Sequence, residues 1–168
     1  VNAALDSNGT LYNFFTYQVR SIISDTVDGH PLLLWAALGW GMGSYDLQKE
    51  YFDMFIASDS MPLGIRNNLT RKIIKDKSGN VWLATAEGLY RWHKSYPPKN
   101  AFDAYIHIPG DSNSLSNNDI QDIYADENNI IWLVTYGGGL NRFDGKKFEV
   151  FRSQHESSNA MFGIYPDK

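Results

Sequence analysis

Histidines and carboxylates are the side chains of this 168-residue chain that could carry acid–base chemistry or bind a metal. The histidines lie far apart and in no spacing typical of metal ligands: His30, His93, His107 and His155. A zinc site needs three or four donors together, and the chain has no cysteine to supply a thiolate or a nucleophile. We therefore predict no catalytic residue, no metal site and no cofactor.

Acidic residues recur at similar places rather than standing alone. Asp28, Asp76 and Asp126 each precede a tryptophan by six or seven residues. A catalytic acid is normally unique, whereas Asp next to Gly or Asn is a common turn former. Calcium binding by one of these turns stays open as an alternative, although the segment after Asp126 lacks the length and the glycine of an EF-hand loop.

Tryptophan marks the elements that must position these groups. Trp35, Trp82 and Trp132 are 47 and 50 residues apart, and each closes a similar phrase. A fixed period of about 40–50 residues indicates an array of one supersecondary unit. The segments at 81–85 and 131–135 are short, β-branched and aromatic, and they lie between turn-forming residues, as strands do.

Each repeat predicts four short strands joined by tight turns. Strands at a spacing of roughly 8–12 residues, with no helical periodicity, indicate an all-β protein of antiparallel meanders. We predict a single array of about three such sheets with a partial one at each end: 1–16 (the end of a repeat), 19–58, 68–108, 118–153, and 159–168 (the first strand of the next repeat). The repeated residues are assigned to packing and turns: Trp35, Trp82, Trp132, Asp76, Asp126, Gly88 and Gly139.

The pattern Asn…Ile…Asp-x-x-Gly-x-(Val/Ile)-Trp-(Leu/Ile)-x-Thr…Gly-Leu-x-Arg-(aromatic) resembles the two-component regulator propeller repeat. It matches well over 68–105 and 118–151 and loosely over 28–55, where Leu38 stands in place of Thr85 and Thr135. The resemblance implies that the sheets are β-propeller blades. It also implies the periplasmic sensor region of a Bacteroides-type hybrid two-component sensor histidine kinase. Such a region would recognise an oligosaccharide and signal across the membrane to control transcription, with no enzyme activity in this segment.

Residues that break the repeat are the candidate ligand contacts. In propellers, the turns between second and third strands share one face with the connections from fourth to first strands. Trp40, Glu87 and Tyr136 lie in such turns, and His107 and Asp111 lie in the connection after the second full repeat. An exposed ring with polar neighbours could bind a sugar. Alternatively, the rings of Trp40 and Tyr136 only anchor their loops.

Composition limits the possible partners. The net charge is −4 and the basic residues are scattered, which argues against nucleic acid, whose binding proteins carry a basic patch. No run of 18 or more apolar residues exists, so we predict no direct membrane insertion by this segment. No basic stretch followed by an apolar core marks a signal peptide at the start of the sequence.

Two other functions stay open. The array could be a scaffold for protein interaction or dimerisation, or, as a lesser alternative, a propeller lyase or glycosidase. Exposed blade faces and strand edges at both ends of the array predict self-association, because unpaired strand edges and apolar faces readily pair with another chain.

Overall fold

A computed structural model describes residues 3–5, 11–13, 18–57, 64–99, 101–155 and 159–165. Within these ranges the chain is all-β, as predicted. Two short strands come first, β1 (Ala3–Leu5) and β2 (Leu11–Asn13). The others follow as β3 (Gln18–Val27), β4 (His30–Leu38), β5 (Gly41–Asp46), β6 (Tyr51–Phe55), β7 (Thr70–Lys75), β8 (Val81–Thr85), β9 (Gly88–Trp92), β10 (Phe102–Tyr105), β11 (Ile120–Ala125), β12 (Ile131–Thr135), β13 (Gly139–Phe143) and β14 (Phe148–Phe151).

Strands β3 to β14 form three antiparallel sheets of four strands, in which neighbours along the chain are also neighbours in the sheet. We call them the first blade (β3–β6), the second blade (β7–β10) and the third blade (β11–β14). Strands β1 and β2 pair separately. In residues 159–165, where a first strand is expected, the backbone forms no strand, because no ladder of hydrogen bonds joins it to another segment.

The core lies between the blades, which stack face to face. We call the face toward the next blade in the chain the following face and the opposite one the preceding face. Side chains alternate between these faces along each strand. In β8, Leu83 packs against the first blade, whereas Trp82 and Ala84 pack against the third blade. The second blade therefore depends on both neighbours to bury its apolar residues.

The ladder places Trp35 one position out of step with the other tryptophans. Counted from the bulge that each first strand carries, Trp35 occupies the position of Leu83 and Leu133, and Leu34 occupies that of Trp82. A step of one residue moves a side chain to the opposite face of its sheet. Trp35 therefore packs on the preceding face of the first blade, away from the second blade. The predicted equivalence of the three tryptophans is wrong for Trp35, and Thr85 likewise corresponds to Ala37 rather than to Leu38.

The first blade also differs at the turn before its second strand. Asp28 and Gly29 form a two-residue turn with φ of 50° and 83°, as a tight hairpin requires. Five-residue loops occupy this place in the other blades, and there the aspartate accepts a hydrogen bond from the repeated indole. These bonds are Trp82 Nε1 to Asp76 at 2.8 Å and Trp132 Nε1 to Asp126 at 2.9 Å. Asp28 is an exposed turn residue and is not their equivalent.

An asparagine ahead of each new repeat ties it to the blade before. Its side-chain oxygen accepts a hydrogen bond from a backbone N–H two residues beyond the preceding fourth strand. These linking asparagines and their donors are Asn68 with Ala57 at 2.6 Å, Asn118 with His107 at 2.6 Å, and Asn159 with Ser153 at 2.7 Å. Because Asn159 makes the same bond, residues 159–165 begin where the first strand of a further blade would begin.

Candidate functional site

The turns after the second strands and the connections into the first strands share one edge of the blades, which we call the upper edge. The backbone N–H of Tyr136 donates to the carbonyl oxygen of Asp119 at 2.9 Å, and that of Ala86 donates to Leu69 at 3.0 Å. Each bond joins the turn after a second strand to the residue that enters the first strand of the same blade. The loops that carry Glu87 and Tyr136 therefore lie beside those connections, as predicted.

A glycine ends each of these turns by beginning the third strand. A Cβ at Gly88 would lie 2.9 Å from the carbonyl oxygen of Tyr105, and one at Gly139 would lie 2.5 Å from that of Phe151. Both glycines have positive φ, 127° and 83°, which other residues rarely adopt. Backbone from the fourth strand thus fills the space of a side chain, and the glycine fixes the shape of the turn before it.

Tyr136 presents an open aromatic surface at the upper edge. Its side chain is 53% exposed. Its ring centre lies 5.9 Å from that of Phe162, at an interplanar angle of 62°, and Phe162 is 68% exposed. Two rings in edge contact, both open to solvent, leave aromatic faces available to a ligand. The ligand contact expected of Tyr136 stays a prediction.

Trp40 has a different environment from Tyr136, although both follow a second strand. Its side chain is half-buried and packs against the cluster of Trp35, Ala37 and Phe52 on the preceding face of the first blade. Its backbone N–H donates to Ala37 at 3.0 Å. The arrangement is that of a loop anchor, the alternative that the sequence left open for this residue.

Glu87 is exposed, and its carboxylate is fastened at the upper edge. Oε1 accepts a hydrogen bond from the side-chain amide of Asn67 at 3.0 Å, and the backbone N–H of Glu87 donates to Thr85 Oγ1 at 2.9 Å. A second carboxylate oxygen has room for a further donor, since a charged carboxylate offers about four acceptor positions. Glu87 can therefore accept hydrogen bonds from a bound molecule while keeping its place.

His107 and Asp111 shape the connection between the second and third blades. His107 is half-buried, and its Nδ1 lies 2.7 Å from the carbonyl oxygen of Leu115, so Nδ1 is assigned the proton and donates. Asp111 is exposed, and its Oδ1 accepts the backbone N–H of Asn113 at 2.9 Å. Both contacts hold the loop in place, which is the turn chemistry expected of Asp.

Sequence analysis did not predict a charged network at Asp119, the residue whose backbone accepts the N–H of Tyr136. The Arg71 guanidinium pairs with the Asp119 carboxylate and also donates to the carbonyl oxygen of Ile120 at 2.8 Å. Gln121 Nε2 donates to Asp119 Oδ1 at 3.0 Å. Because the backbone N–H of Tyr136 donates to the backbone of Asp119, the turn that carries the open ring adjoins the connection that carries this network.

One signal could have found this network. Arg71, Gln121 and Phe162 each stand two residues before an isoleucine that repeats in register. The position two residues before the isoleucine therefore recurs in each repeat, but its side chain differs from repeat to repeat, as the loop residues also do. The pairing of Arg71 with Asp119 has no such signal, because it forms only when the first strands of neighbouring blades lie side by side.

The repeated aspartates of the opposite edge are held by hydrogen bonds. Besides the Trp132 indole, Asp126 accepts the backbone N–H groups of Asn128 at 2.8 Å and Ile130 at 3.0 Å. Burial raises the pKa of Asp126, but the hydrogen bonds outweigh burial and lower that pKa below its ordinary value. A carboxylate that its donors keep charged is a poor general acid, so Asp126 serves the turn.

In the described part of the chain, no group of three or more His, Asp or Glu residues is placed to hold a metal ion. The same residues include no transmembrane helix.

Comparison with known families identifies the third repeat. Residues 114–137 match the family model described as two component regulator propeller. The match runs from the connection into the third blade to the turn that carries Tyr136. No curated protein sequence matches the chain significantly.

Two solved structures show where this arrangement of blades occurs. The extracellular domain of a protein described as a hybrid two component system from B. thetaiotaomicron has a TM-score of 0.65 and 23% identity over 79% of this chain and 18% of that one. Virginiamycin B lyase from Staphylococcus aureus has a TM-score of 0.52 and 14% identity over 90% of this chain and 48% of that one. The chain thus spans less than half the length of either structure, and at these identities the likeness concerns the fold alone. Residues 114–137 match the model of the two-component regulator propeller repeat, and the chain has the fold of a stack of β-propeller blades.

Proposed function

We propose that the chain is part of the ligand-sensing propeller of a hybrid two-component sensor histidine kinase, outside the cytoplasm and in the periplasm. Its role there would be to bind an oligosaccharide, so that a signal crosses the membrane and controls transcription. The matched repeat supports this proposal, as does the similar fold of an extracellular domain from a hybrid two component system. The binding site would be the upper edge around Tyr136.

The observation that carries this proposal is the open ring of Tyr136, on a turn whose backbone is bonded to Asp119 of a polar network. A sugar ring has an apolar face of C–H groups and a rim of hydroxyls, so it suits an aromatic surface flanked by donors and acceptors. The rings of Tyr136 and Phe162 supply the surface. Arg71, Asp119 and Gln121 supply hydrogen-bonding groups, and charged groups form the stronger of such bonds.

Binding without turnover is the chemistry that suits this site. Glycoside hydrolysis usually needs two carboxyl groups flanking the scissile bond, one of them protonated. At the upper edge, the carboxylate of Asp119 is neutralised by Arg71, and that of Glu87 is bonded to Asn67. Both carboxylates are therefore already engaged by neighbouring side chains.

Calorimetry with hexasaccharides of glucose, xylose, mannose and galacturonate tests this proposal. We expect one of them to bind, with no product detected by chromatography, and we expect Tyr136→Ala to weaken binding about tenfold, or about 1.4 kcal/mol. Leu47→Ala is the matched control, since Leu47 is an exposed apolar residue in the turn after β5, at the opposite edge. Product release would indicate an enzyme instead, and tight binding that ignores Tyr136→Ala would move the site elsewhere.

A second candidate function is an interaction scaffold. It is favoured by apolar side chains that stay exposed on the outward faces of the terminal blades, such as Ile22 and Phe151. No response to any glycan would favour this candidate.

A further inference from the structure

Two neighbouring blades meet at a boundary that we call their joint, and the joint between the first and second blades is closed at the upper edge by buried, uncharged groups. Thr70 begins β7 and is fully buried, and its Oγ1 lies 2.9 Å from the carbonyl oxygen of Ala37 and 2.5 Å from that of Gly41. The backbone N–H of Gly41 donates to the carbonyl oxygen of Asn68 at 3.1 Å. Main-chain groups and one buried hydroxyl therefore hold these two blades together at this edge.

The joint between the second and third blades is closed at the same edge by a charged side chain. Ile120 takes the ladder position of Thr70 and has no hydroxyl to donate. Among the described residues, no main-chain hydrogen bond of this joint corresponds to that of Gly41. Arg71 Nη1 instead donates to the Asp119 carboxylate and, at 2.8 Å, to the carbonyl oxygen of Ile120. Apart from the linking asparagine that both joints share, Arg71 thus takes the place of the buried bonds.

Asp119 connects Arg71 to the turn that carries Tyr136. Its carboxylate accepts from Arg71, and its carbonyl oxygen accepts the backbone N–H of Tyr136 at 2.9 Å. In the second blade, Leu69 follows the linking asparagine as Asp119 does in the third, and it meets the first blade through a main-chain bridge with Leu38. At the corresponding place, the third blade depends on a side chain instead.

Solvent reaches the pair of Arg71 and Asp119. The two side chains are 21% and 35% exposed, whereas Thr70 is fully buried. Water screens an ion pair that it reaches, so such a pair adds little to the stability of the fold. The main effect of this pair is therefore on geometry, because it sets where Asp119, and with it the turn of Tyr136, lies relative to the second blade.

We propose that Arg71 is a positioning residue of the upper-edge site: from the second blade it holds Asp119, and through Asp119 it sets the place of the turn that carries Tyr136. The effect on ligand binding rests on the proposed function, whereas the place of the turn is a property of the protein alone. Coupling between two sites is reciprocal. A ligand that binds the turn in its held position therefore also strengthens the contact between the second and third blades.

Lys72 provides a matched control, because it joins the same two blades from the next position of β7. Its Nζ pairs with Asp122 Oδ1 at 2.6 Å. Within the described residues, Asp122 makes no side-chain hydrogen bond to the turn of Tyr136. Arg71→Met and Lys72→Met therefore each remove one ion pair between these blades and keep the apolar part of the side chain, but only Arg71→Met releases Asp119.

Hydrogen exchange without any ligand tests the place of the turn. We expect Arg71→Met to speed exchange of the Tyr136 amide about fivefold, and Lys72→Met to leave it within about twofold of the wild type. The Ala86 amide, which donates to Leu69 at 3.0 Å, should stay unchanged in both variants and so reports that the second blade is intact. An unchanged Tyr136 amide in Arg71→Met overturns the proposal, and so does an equal acceleration in Lys72→Met.

A conservative variant separates positioning from a general loss of stability. Arg71→Lys keeps a positive charge and N–H donors at the same place, so its Tyr136 amide should exchange more slowly than that of Arg71→Met. Equal exchange rates in these two variants would show that the contact with Asp119 does not hold the turn.

Calorimetry with the hexasaccharides of glucose, xylose, mannose and galacturonate tests the effect on binding. The one that binds the wild type should bind Arg71→Met about fivefold more weakly and Lys72→Met equally well. It should also slow exchange of the His107 amide, which donates across the joint to Asn118, in the wild type but not in Arg71→Met. Equal affinity for the wild type and Arg71→Met overturns the positioning role and leaves the proposed function intact. Absence of binding by all four contradicts the proposed function, while the exchange measurements still decide the place of the turn.

Discussion

The indole of Trp35 lies directly over Gly43 on the neighbouring strand β5. The two residues are cross-strand partners, and a Cβ added to Gly43 would come within 2.2 Å of the indole ring. In the second blade the equivalent partners are Leu83 and Tyr90. In the first blade, therefore, the second strand carries a large side chain, and the glycine on the third strand leaves space for it. In the second blade, both strands carry a large side chain at this position.

Gly43→Ala should destabilise the protein. The methyl group would displace the Trp35 ring from a filled site, and overpacking of this kind costs about 1–3 kcal/mol. Urea denaturation followed by tryptophan fluorescence measures the loss. Gly163→Ala is the control, because its nearest neighbour is the exposed and movable ring of Tyr165 at 3.3 Å. Equal stability losses in the two variants would contradict the clash.

Trp35→Leu should partly rescue Gly43→Ala, because leucine is the residue of the second and third blades at this position. A double-mutant cycle isolates this coupling from the separate effects of the two changes. We expect the double variant to be more stable than the sum of the single losses predicts. Additive losses would mean that the two side chains do not compete for one space.

Trp82→Phe should cost more stability than Trp132→Phe, although the two indoles occupy the same repeat position. Trp82 is buried between blades and contacts the rings of Tyr105 and Phe143. Trp132 is half-buried on the following face of the third blade, against Phe151. Both variants lose the hydrogen bond to aspartate, so the difference in unfolding free energy reports packing between blades. A larger loss for Trp132→Phe would contradict this assignment.

Asp126 should contribute stability that disappears in acid. Its folded-state pKa is lowered, so its contribution is present above the pKa of the unfolded chain, about 3.9, and is lost as pH falls through the folded value. We expect Asp126→Asn to cost about 1–2 kcal/mol at pH 7 and progressively less below pH ~4. Unfolding free energies across that range measure this. Glu127→Gln, at an exposed neighbour, should show no such trend, and a loss in Asp126→Asn that stays constant with pH would refute the assignment.

Asn118→Ala should loosen the joint between the second and third blades. It removes the acceptor of the His107 backbone N–H, and an unsatisfied donor in a part-buried place costs about 1–3 kcal/mol. Denaturation measures the total effect, and hydrogen exchange at the His107 amide localises it. Asn113→Ala in the same connection is exposed and should be near neutral. Unchanged protection of the His107 amide would show that Asn118 is not its partner.

The second and third blades could be predicted strand by strand because their turn residues and strand residues agree in both copies. The first blade could not be predicted in this way, because a match of Trp35 to Trp82 by residue type does not show on which face of the sheet each side chain lies. Because the turn at Asp28 has only two residues, strands β3 and β4 pair over a longer stretch. The number of residues between the turn and the tryptophan therefore no longer predicts which residue of β3 lies opposite the tryptophan. A one-residue difference of this kind becomes visible only in the ladder.

Sequence alone could place Tyr136 and Glu87 in the turns of the upper edge, since both interrupt a repeated pattern there. It could not separate Trp40 from Tyr136, because the cluster that holds Trp40 is assembled from residues of several strands. The partner of Arg71 was likewise beyond reach, since Asp119 is distant in sequence and meets it only across the boundary between two blades.

The linking asparagines have a consequence for how such arrays change in length. Asn68, Asn118 and Asn159 each bind a backbone N–H, and the residues that donate it, Ala57, His107 and Ser153, share nothing in their side chains. The hydrogen bond between blades therefore does not depend on the side chains of the blade that donates it. Deleting residues 68–117 would bring Asn118 to the place of Asn68, and duplicating them would create one more identical joint. Whole blades can thus be gained or lost by recombination in register, while the non-repeating residues of the upper edge diverge independently.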